Sequence, residues 1–152
     1  DKANFGFIGA MGQAIPFALG LAMAQPDLRI LLFTGDGDTL MSLGSIATVA
    51  NHPVTNLTIM VMDNESYVET GSQPTATAGK TDLEIVAKGS GIANSYTISS
   101  EKDYDRIIKT IYEEEGPSLV VAKCQVKATP LVFPHSFDGS VSINRFMSTL
   151  KS

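Results

Sequence analysis

Three short and nearly uninterrupted apolar runs constrain the fold of this chain more than any other feature of its sequence. They span residues 29–34, 56–62 and 118–124. A strand with one face in water alternates polar and apolar residues, whereas continuous apolar runs are typical of strands that are covered on both faces. Segments with helical spacing lie between the runs. The sequence therefore predicts an α/β fold, a doubly wound and mostly parallel sheet with helices on both faces.

The remaining segments predict the helices, one further strand and a long loop. Helices are expected at residues 11–25, 40–50, 82–88, 100–111 and 141–150, and a short strand at residues 95–98. Thr81 or Asp82 is expected to cap the helix at 82–88. Residues 63–80 are polar and too long for a plain connection, so we interpret them as a binding loop. With no internal repeat and no interdomain linker, residues 1–152 are expected to form a single domain.

Composition excludes several classes of protein. The net charge is −5, from 11 basic and 16 acidic residues, which argues against a nucleic-acid-binding protein. A single cysteine rules out a disulfide framework and a multi-cysteine metal site, and it fits a reducing compartment. No apolar run has the length needed to span a membrane, and no basic segment precedes residues 15–24 as in a signal peptide. We therefore expect a cytoplasmic protein.

Two polar loops follow the first two apolar runs, at the strand ends where parallel sheets bind ligands. The first loop is Gly35-Asp36-Gly37-Asp38, and the N–H groups of the helix after it suit a phosphate. The Asp36 carboxylate would repel a phosphate unless Mg²⁺ lay between them. In the second loop, Asn64 offers a side-chain oxygen and Ser66 a backbone oxygen. The two loops together predict a diphosphate held through a divalent metal, and the alternative is a pair of ordinary turns.

One spacing resembles the signature of a known family. Gly35-Asp36-Gly37, 26 intervening residues and then Asn64 resemble the motif of the diphosphate-binding domain in thiamine-diphosphate-dependent enzymes. Residues 7–12 and 41–48 resemble the segments before and after this motif in 2-oxo acid decarboxylases. The strongest resemblance is to the phosphonopyruvate and sulfopyruvate decarboxylases, through the pattern at 64–75 and an ending like that at 143–147. The resemblance covers nearly the whole chain.

The resemblance implies a site for thiamine diphosphate and Mg²⁺. Asp36 and the Asn64 side chain are expected to bind Mg²⁺ together with the Ser66 carbonyl group. The Gly9 carbonyl is expected to accept from the cofactor's amino group, and Met11 to support the bent cofactor. Backbone donors or hydroxyls from residues 37–39 are expected to bind the diphosphate. The expected cofactor contacts are thus Gly9, Met11, Gly37, Asp38, Thr39, Ser66 and Tyr67.

The same resemblance marks two candidate catalytic residues. Thr70 and Gln73 lie on the loop that faces the substrate in the family. Pyruvate-type decarboxylases place a catalytic glutamate close to the position of Thr70, and in this chain Glu69 is adjacent. The alternative for Thr70 and Gln73 is a plain structural role in the loop.

The activity implied by the resemblance is that of a lyase, a thiamine-diphosphate-dependent 2-oxo acid decarboxylase acting on a small anionic substrate such as sulfopyruvate or phosphonopyruvate. Family members also need a pyrimidine-binding domain with an activating glutamate, which no segment of this chain resembles. A partner chain is expected to supply it, which makes this chain the small subunit of a hetero-oligomer, or else a fragment. The alternatives are the thiamine subunit of a 2-oxo acid oxidoreductase or carboligase, and a non-catalytic relic domain.

Two positions depart from the family pattern. Asp38 replaces the serine usual in the decarboxylases and gives the Gly-Asp-Gly-Asp form that is common in the thiamine subunits of 2-oxo acid:ferredoxin oxidoreductases. Because added negative charge near a diphosphate is unfavourable, we expect Asp38 to accept a helix N–H as a cap. Asp63 replaces the first asparagine of the usual Asn-Asn pair.

The remaining polar and aromatic candidates are expected to be structural. His52 stands at a helix end and predicts a C-terminal cap. His135 lies in the tail and is interpreted as a solvated loop residue. Apolar surroundings and helical spacing predict core positions for Cys124, Tyr104, Ile107 and Ile111.

Overall fold

The computed structural model describes residues 3–6, 9–52, 54–125 and 138–150, which belong to two compact units. The main unit is Met11–Val126, and the terminal unit combines Asp1–Ala10 with Lys127–Ser152. The described helices are α1 (Ala14–Ala24), α2 (Asp36–Met41), α3 (Gly44–Ala50), α4 (Leu83–Ser90), α5 (Tyr104–Tyr112) and α6 (Gly139–Leu150). The described strands are β1 (Ile30–Gly35), β2 (Leu57–Asp63), β3 (Ser66–Tyr67), β4 (Gln73–Pro74), β5 (Asn94–Ile98) and β6 (Ser118–Lys123).

The central sheet of the main unit is entirely parallel. Its four strands run in the order β1-β2-β6-β5. Gly35 pairs with Met62, and Asp63 pairs with Lys123, so the carboxyl ends of β1, β2 and β6 lie at the same edge of the sheet. The short strands β3 and β4 pair antiparallel outside this sheet. The predicted parallel α/β fold is confirmed.

One face of the sheet carries the larger core. Alternate residues of β2, among them Leu57 and Ile59, are fully buried there against α1, α3 and α4. The helices contribute small and branched side chains that let them approach the strands closely, such as Ala18, Ile46 and Ala87. The residues of β2 between these alternate positions are buried on the opposite face. Because both faces are covered, the sequence of this strand is a continuous apolar run.

The opposite face carries a smaller core under α5. Its buried members are Met60, Tyr96, Ile98, Val120 and Ala122, and Ile107 and Ile111 of α5 pack against them. Helices therefore cover both faces, as predicted. At the β1 end of this face, Leu31 and Phe33 are 36% and 61% exposed.

A hydrogen-bonded glutamate lies two residues beyond the C-terminal end of α5. Glu114 Oε2 accepts from Asn94 Nδ2 and from the buried Thr110 hydroxyl, each at 2.9 Å. The bond from Asn94 and then that from Thr110 lower the pKa of Glu114 below its ordinary value. These bonds join α5 to the first residue of β5.

Local chemistry explains several helix ends. The Asp82 side chain accepts the Ile85 N–H at 3.0 Å and caps α4, and Gly91 ends that helix in the left-handed conformation with φ 111°. His52 Nδ1 lies 2.7 Å from the Thr48 carbonyl oxygen, which confirms its role at the end of α3. His135 lies outside the described residues.

Residues 40–50 form parts of two short helices rather than one. The Ser42 N–H donates to the Thr39 carbonyl oxygen, and the Ile46 N–H donates to the Leu43 carbonyl oxygen. Both bonds span three residues, so the backbone between α2 and α3 has the tighter 3₁₀-type hydrogen bonding. Gly44, a poor helix former, begins α3 at this point.

Two expected core positions are wrong. Tyr104 is 62% exposed in the first turn of α5, and Tyr96 from the sheet occupies the core instead. Cys124 is exposed because β6 ends at Lys123 and the cysteine comes just after the covered strand. The predictions for Ile107 and Ile111 are confirmed.

The terminal unit is organised around α6. Phe146 of this helix is buried, and its ring centroid lies 5.4 Å from that of Phe5. Arg145 donates to the Asn4 carbonyl oxygen at 2.9 Å. The helix confirms the prediction at residues 141–150. Over the described residues of both units, no helix has the length and apolar character required to cross a membrane.

Candidate functional site

The carboxyl ends of β1 and β2 bring two buried aspartates into one network. Asp36 is the first residue of α2 and is 1% exposed, and Asp63 is the last residue of β2 and is 2% exposed. Two buried threonines from the end of the second loop lie between them. Thr75 Oγ1 lies 2.6 Å from Asp36 Oδ2, while Thr77 Oγ1 lies 3.1 Å from Asp36 Oδ2 and 2.8 Å from Asp63 Oδ1. The two loops thus meet at one edge of the sheet.

The two aspartates differ in how their charge is compensated. Lys123 lies beside Asp63 in the strand register and places Nζ 2.9 Å from Asp63 Oδ2 and 2.7 Å from Glu65 Oε1. Among the described residues, by contrast, no ion pair includes Asp36, and its side-chain donors are the hydroxyls of Thr75 and Thr77. A carboxylate removed from water is costly without a cation. Asp36 is therefore the buried carboxylate of this site whose charge no cation of the described residues compensates.

The strand-end lysine also affects its neighbours. Burial lowers the pKa of Lys123, but the hydrogen bonds and charges of Glu65 and Asp63 outweigh burial, so that the pKa lies above its ordinary value and the ammonium group stays charged. The Cys124 N–H donates to the Asp63 carbonyl oxygen at 3.0 Å. Partial burial and then the charges of Asp63 and Asp36 raise the pKa of the Cys124 thiol, which keeps it protonated at neutral pH.

The first turn of α2 lies against the second loop. A Cβ atom on Gly37 would stand 2.5 Å from Tyr67 Cε1 and 2.7 Å from Tyr67 Cδ1, so the tyrosine ring covers the glycine directly. The N–H groups at a helix start have no acceptor inside the helix. The N–H groups of Gly37 and Asp38 belong to this set, whereas Thr39 lies one position further along α2 and donates its hydroxyl to the Gly35 carbonyl oxygen at 2.8 Å.

Asp38 does not cap a helix. One carboxylate oxygen accepts the Gly12 N–H, which lies before α1, and the other accepts the Thr34 hydroxyl. The prediction of a helix cap is wrong because Asp38 is the third residue of α2, and Gly35 holds the cap position. The Asp38 carboxylate instead links the end of β1 to the chain before α1.

The second loop folds into a small hairpin. Asn64 Oδ1 accepts the Ser66 N–H at 2.9 Å, and β3 then pairs with β4. At the exposed tip, the Thr70 hydroxyl donates to Gln73 Oε1 at 3.0 Å, and Gln73 Nε2 donates to the Thr70 carbonyl oxygen at 2.9 Å. The two candidate catalytic side chains thus contact each other.

Two of the predicted cofactor contacts lie near the start of the chain. Gly9 belongs to the terminal unit and has φ +68°, a left-handed conformation that favours glycine. Met11 begins the main unit, and its side chain is 44% exposed.

The oxygen donors of the site suit a small hard cation. Asp36 offers a carboxylate, Asn64 an amide oxygen with a second lone pair, and Ser66 a backbone carbonyl, which are the ligands that Mg²⁺ accepts beside phosphate oxygens and water. Within the described ranges, no group of three or more His, Cys, Asp and Glu residues is arranged to hold a metal ion.

The sequence interpretation missed three residues of this network. Thr75 is the last residue of the pattern at 64–75, which assigns it no role, and Thr77 and Lys123 belong to no motif. A signal for Lys123 existed, since a lysine at the end of an apolar strand needs an acid at the end of the neighbouring strand. The threonines had no such signal, because threonine recurs throughout residues 70–81.

A parallel sheet with a buried acid and a helix start at adjoining strand ends defines an α/β domain built to bind a small ligand at that edge. The chain belongs to the thiamine-pyrophosphate enzymes, since residues 2–122 match the family described as thiamine pyrophosphate enzyme, C-terminal TPP binding domain.

Named relatives and a solved structure agree with this family. The chain is 36% identical over 122 residues to sulfopyruvate decarboxylase subunit beta of Methanocaldococcus jannaschii, covering 80% of this chain and 64% of the relative. It is 37% identical over 117 residues to phosphonopyruvate decarboxylase of Streptomyces viridochromogenes, covering 77% of this chain and 29% of the relative. The structure of 2-oxoglutarate:ferredoxin oxidoreductase from Magnetococcus marinus superposes with a TM-score of 0.66 at 26% identity, covering 76% of this chain and 46% of that one. This chain therefore corresponds to a part of each relative's length.

Proposed function

We propose that this chain is the thiamine-diphosphate- and Mg²⁺-binding subunit of a heteromeric 2-oxo acid decarboxylase of the sulfopyruvate or phosphonopyruvate type. The observation that carries the proposal is the state of Asp36. It holds the acidic position of the family spacing, it is 1% exposed, and no ion pair of the described chain includes it. A bound divalent cation would supply the missing charge.

The residues around Asp36 fit that cation and a diphosphate. Asp36, the Asn64 side chain and the Ser66 carbonyl would hold Mg²⁺, which commonly bridges carboxylates to phosphates. The N–H groups of Gly37 and Asp38 would bind phosphate oxygens, and the Thr39 hydroxyl, which donates to the Gly35 carbonyl oxygen, would turn toward them. The Tyr67 ring covers Gly37 and would exclude water from this end of the site.

The hairpin tip would face the substrate. Thiamine diphosphate, when bound, supplies the carbon nucleophile and accepts the electron pair left when carbon dioxide departs. Thr70 and Gln73 are exposed and hold each other through two hydrogen bonds, so their polar groups would orient the substrate. Gly9 and Met11 would contact the aminopyrimidine and the bent cofactor.

A second chain would complete the enzyme. This chain spans 64% of a relative named as a beta subunit and 29% of a relative named phosphonopyruvate decarboxylase. Residues 1–152 would form the diphosphate-binding part, and a partner subunit would carry the pyrimidine-binding domain with its activating glutamate. One cysteine in 152 residues fits a cytoplasmic location for this hetero-oligomer.

Native mass spectrometry of the complex from its own source tests the proposal. We expect a stoichiometric second chain and the added mass of thiamine diphosphate and Mg²⁺, and release of carbon dioxide from one member of a panel of 2-oxo acids. Asn64→Ala should lose the metal and the activity. The control Asn51→Ala removes an amide whose side-chain hydrogen bond within the described residues goes to the Ala47 carbonyl oxygen, at 2.8 Å, and should keep both. A complex still lacking cofactor after saturation with both components would overturn the proposal.

A second candidate is the thiamine subunit of a 2-oxo acid oxidoreductase. Two observations favour it, the Gly-Asp-Gly-Asp form at residues 35–38 and the superposition on the ferredoxin-dependent enzyme. Reduction of ferredoxin or a viologen dye, coupled to loss of carbon dioxide, would identify this activity, and the decarboxylase would release carbon dioxide without reducing either acceptor.

A further inference from the structure

We propose that Thr75 and Thr77 are positioning residues that set the affinity of Asp36 for the metal. The inference rests on the proposed function, because it takes Asp36 as a metal ligand. Both threonine hydroxyls contact the same carboxylate oxygen, Asp36 Oδ2. Among the described residues no side-chain donor contacts Oδ1, so the threonines fix one oxygen and present the other to the cation.

The hydroxyl protons can be counted. Thr75 and Thr77 have one each, while the network contains four short oxygen–oxygen contacts, including 2.9 Å between the two hydroxyls. Thr75 lies 2.6 Å from Asp36 and is its main donor. Thr77 lies closer to Asp63, at 2.8 Å, than to Asp36, at 3.1 Å, so its proton is shared between the two acids.

This sharing leaves the charge of Asp36 available. Asp63 also receives Lys123 at 2.9 Å, so its negative charge is already compensated inside the chain. Asp36 receives hydroxyl dipoles, which orient a carboxylate without neutralising it. Hydrogen bonds that orient a ligand in this way commonly determine metal affinity.

The hairpin places the two threonines. The Thr75 N–H donates to the Glu65 carbonyl oxygen at 3.1 Å, directly after β4. The short turn at Ala76–Ala78, in which the Ala78 N–H donates to the Thr75 carbonyl oxygen, then brings Thr77 back toward the sheet. The loop that carries the candidate substrate contacts is therefore also the element that orients Asp36.

The test measures Mn²⁺ dissociation constants by electron paramagnetic resonance, on the complete enzyme with thiamine diphosphate present. Thr75→Val should weaken Mn²⁺ binding roughly 10–100-fold. Thr75→Ser, which keeps the hydroxyl, should restore it to within a few-fold. Thr77→Val should weaken binding several-fold, because its proton is shared. The matched control is Thr110→Val, since Thr110 is buried and donates to a carboxylate at 2.9 Å on the other face of the sheet.

The outcomes separate positioning from a structural role. Urea unfolding in EDTA should show comparable losses of stability for Thr75→Val and Thr110→Val, while only the first changes the Mn²⁺ constant. An unchanged constant in Thr75→Val, with normal binding by the wild type, overturns this inference alone. If Thr75→Val does not fold, an unchanged Mn²⁺ dissociation constant in Thr77→Val overturns this inference alone. Absence of Mn²⁺ binding by the wild type overturns the proposed function and this inference together.

Discussion

The contact between Gly37 and Tyr67 allows a quantitative prediction. A Cβ atom on Gly37 would lie 2.5 Å from Tyr67 Cε1, whereas ordinary contact begins at 3.4 Å, so the ring must withdraw by almost an ångström. Overpacking of this kind costs about 1–3 kcal/mol. Replacing a helical glycine with alanine contributes about 0.5–1 kcal/mol in the opposite direction. We expect Gly37→Ala to lower the free energy of unfolding by about 1–2 kcal/mol.

Two further variants isolate the contact. In a Tyr67→Ala background the ring is absent, so Gly37→Ala should become stabilising by roughly 0.5 kcal/mol or more. Gly20→Ala is the matched control, since Gly20 is an exposed residue of α1 with no atom within 4 Å of its added Cβ, and it should stabilise the chain. Urea titrations followed by circular dichroism give all the values needed. The reasoning is refuted if Gly37→Ala destabilises equally with and without the Tyr67 ring.

Three further predictions concern charge and packing, and each is measured by urea unfolding. Lys123→Met should lower the free energy of unfolding by about 1–2 kcal/mol. This is less than the roughly 3–5 kcal/mol lost when a fully buried ion pair is broken, because the Lys123 side chain is 38% exposed. Adding Asp63→Asn should restore most of the lost stability. Glu114→Gln should destabilise the chain at pH 7. Because folding lowers the pKa of Glu114, this difference should shrink as the pH falls below about 4.3 and vanish below the folded pKa. Ile59→Ala removes a fully buried side chain and should cost about 2–5 kcal/mol, against less than about 0.5 kcal/mol for the exposed Ile85→Ala.

Each of these predictions can fail in a specific way. A double variant of Lys123 and Asp63 that is no more stable than Lys123→Met would show that the ion pair does not explain the loss. A Glu114→Gln difference independent of pH would assign its effect to shape rather than charge. Equal losses at the buried and exposed isoleucines would contradict the described core.

The strands and the first half of the site could be predicted from the sequence because both depend on local pattern. The apolar runs record burial on two faces, and their ends place the loops that contain Asp36 and Asn64 at one edge. Helix caps such as Asp82 and His52 act within four residues, so residue type and position suffice. The family resemblance then supplied the chemistry expected at that edge.

The rest of the site depends on contacts between distant residues. Thr75 and Thr77 lie 39 and 41 residues from Asp36, and Gly12 lies 26 residues before Asp38. Such contacts are set by the hairpin and by the packing of α1, neither of which leaves a periodic signal. The errors at Tyr104 and Cys124 have a different cause: periodicity identifies a buried face but not where along the element burial ends.

The edge position of β1 has a practical consequence for handling the protein. In the described chain β1 has one neighbouring strand, and its outer side presents a row of free peptide groups beside the exposed Leu31 and Phe33. Open edges flanked by apolar side chains are templates for intermolecular pairing. We therefore expect the chain produced by itself to associate as its concentration rises. Light scattering across a dilution series should define the range in which it is monodisperse, and refolding is best carried out within that range.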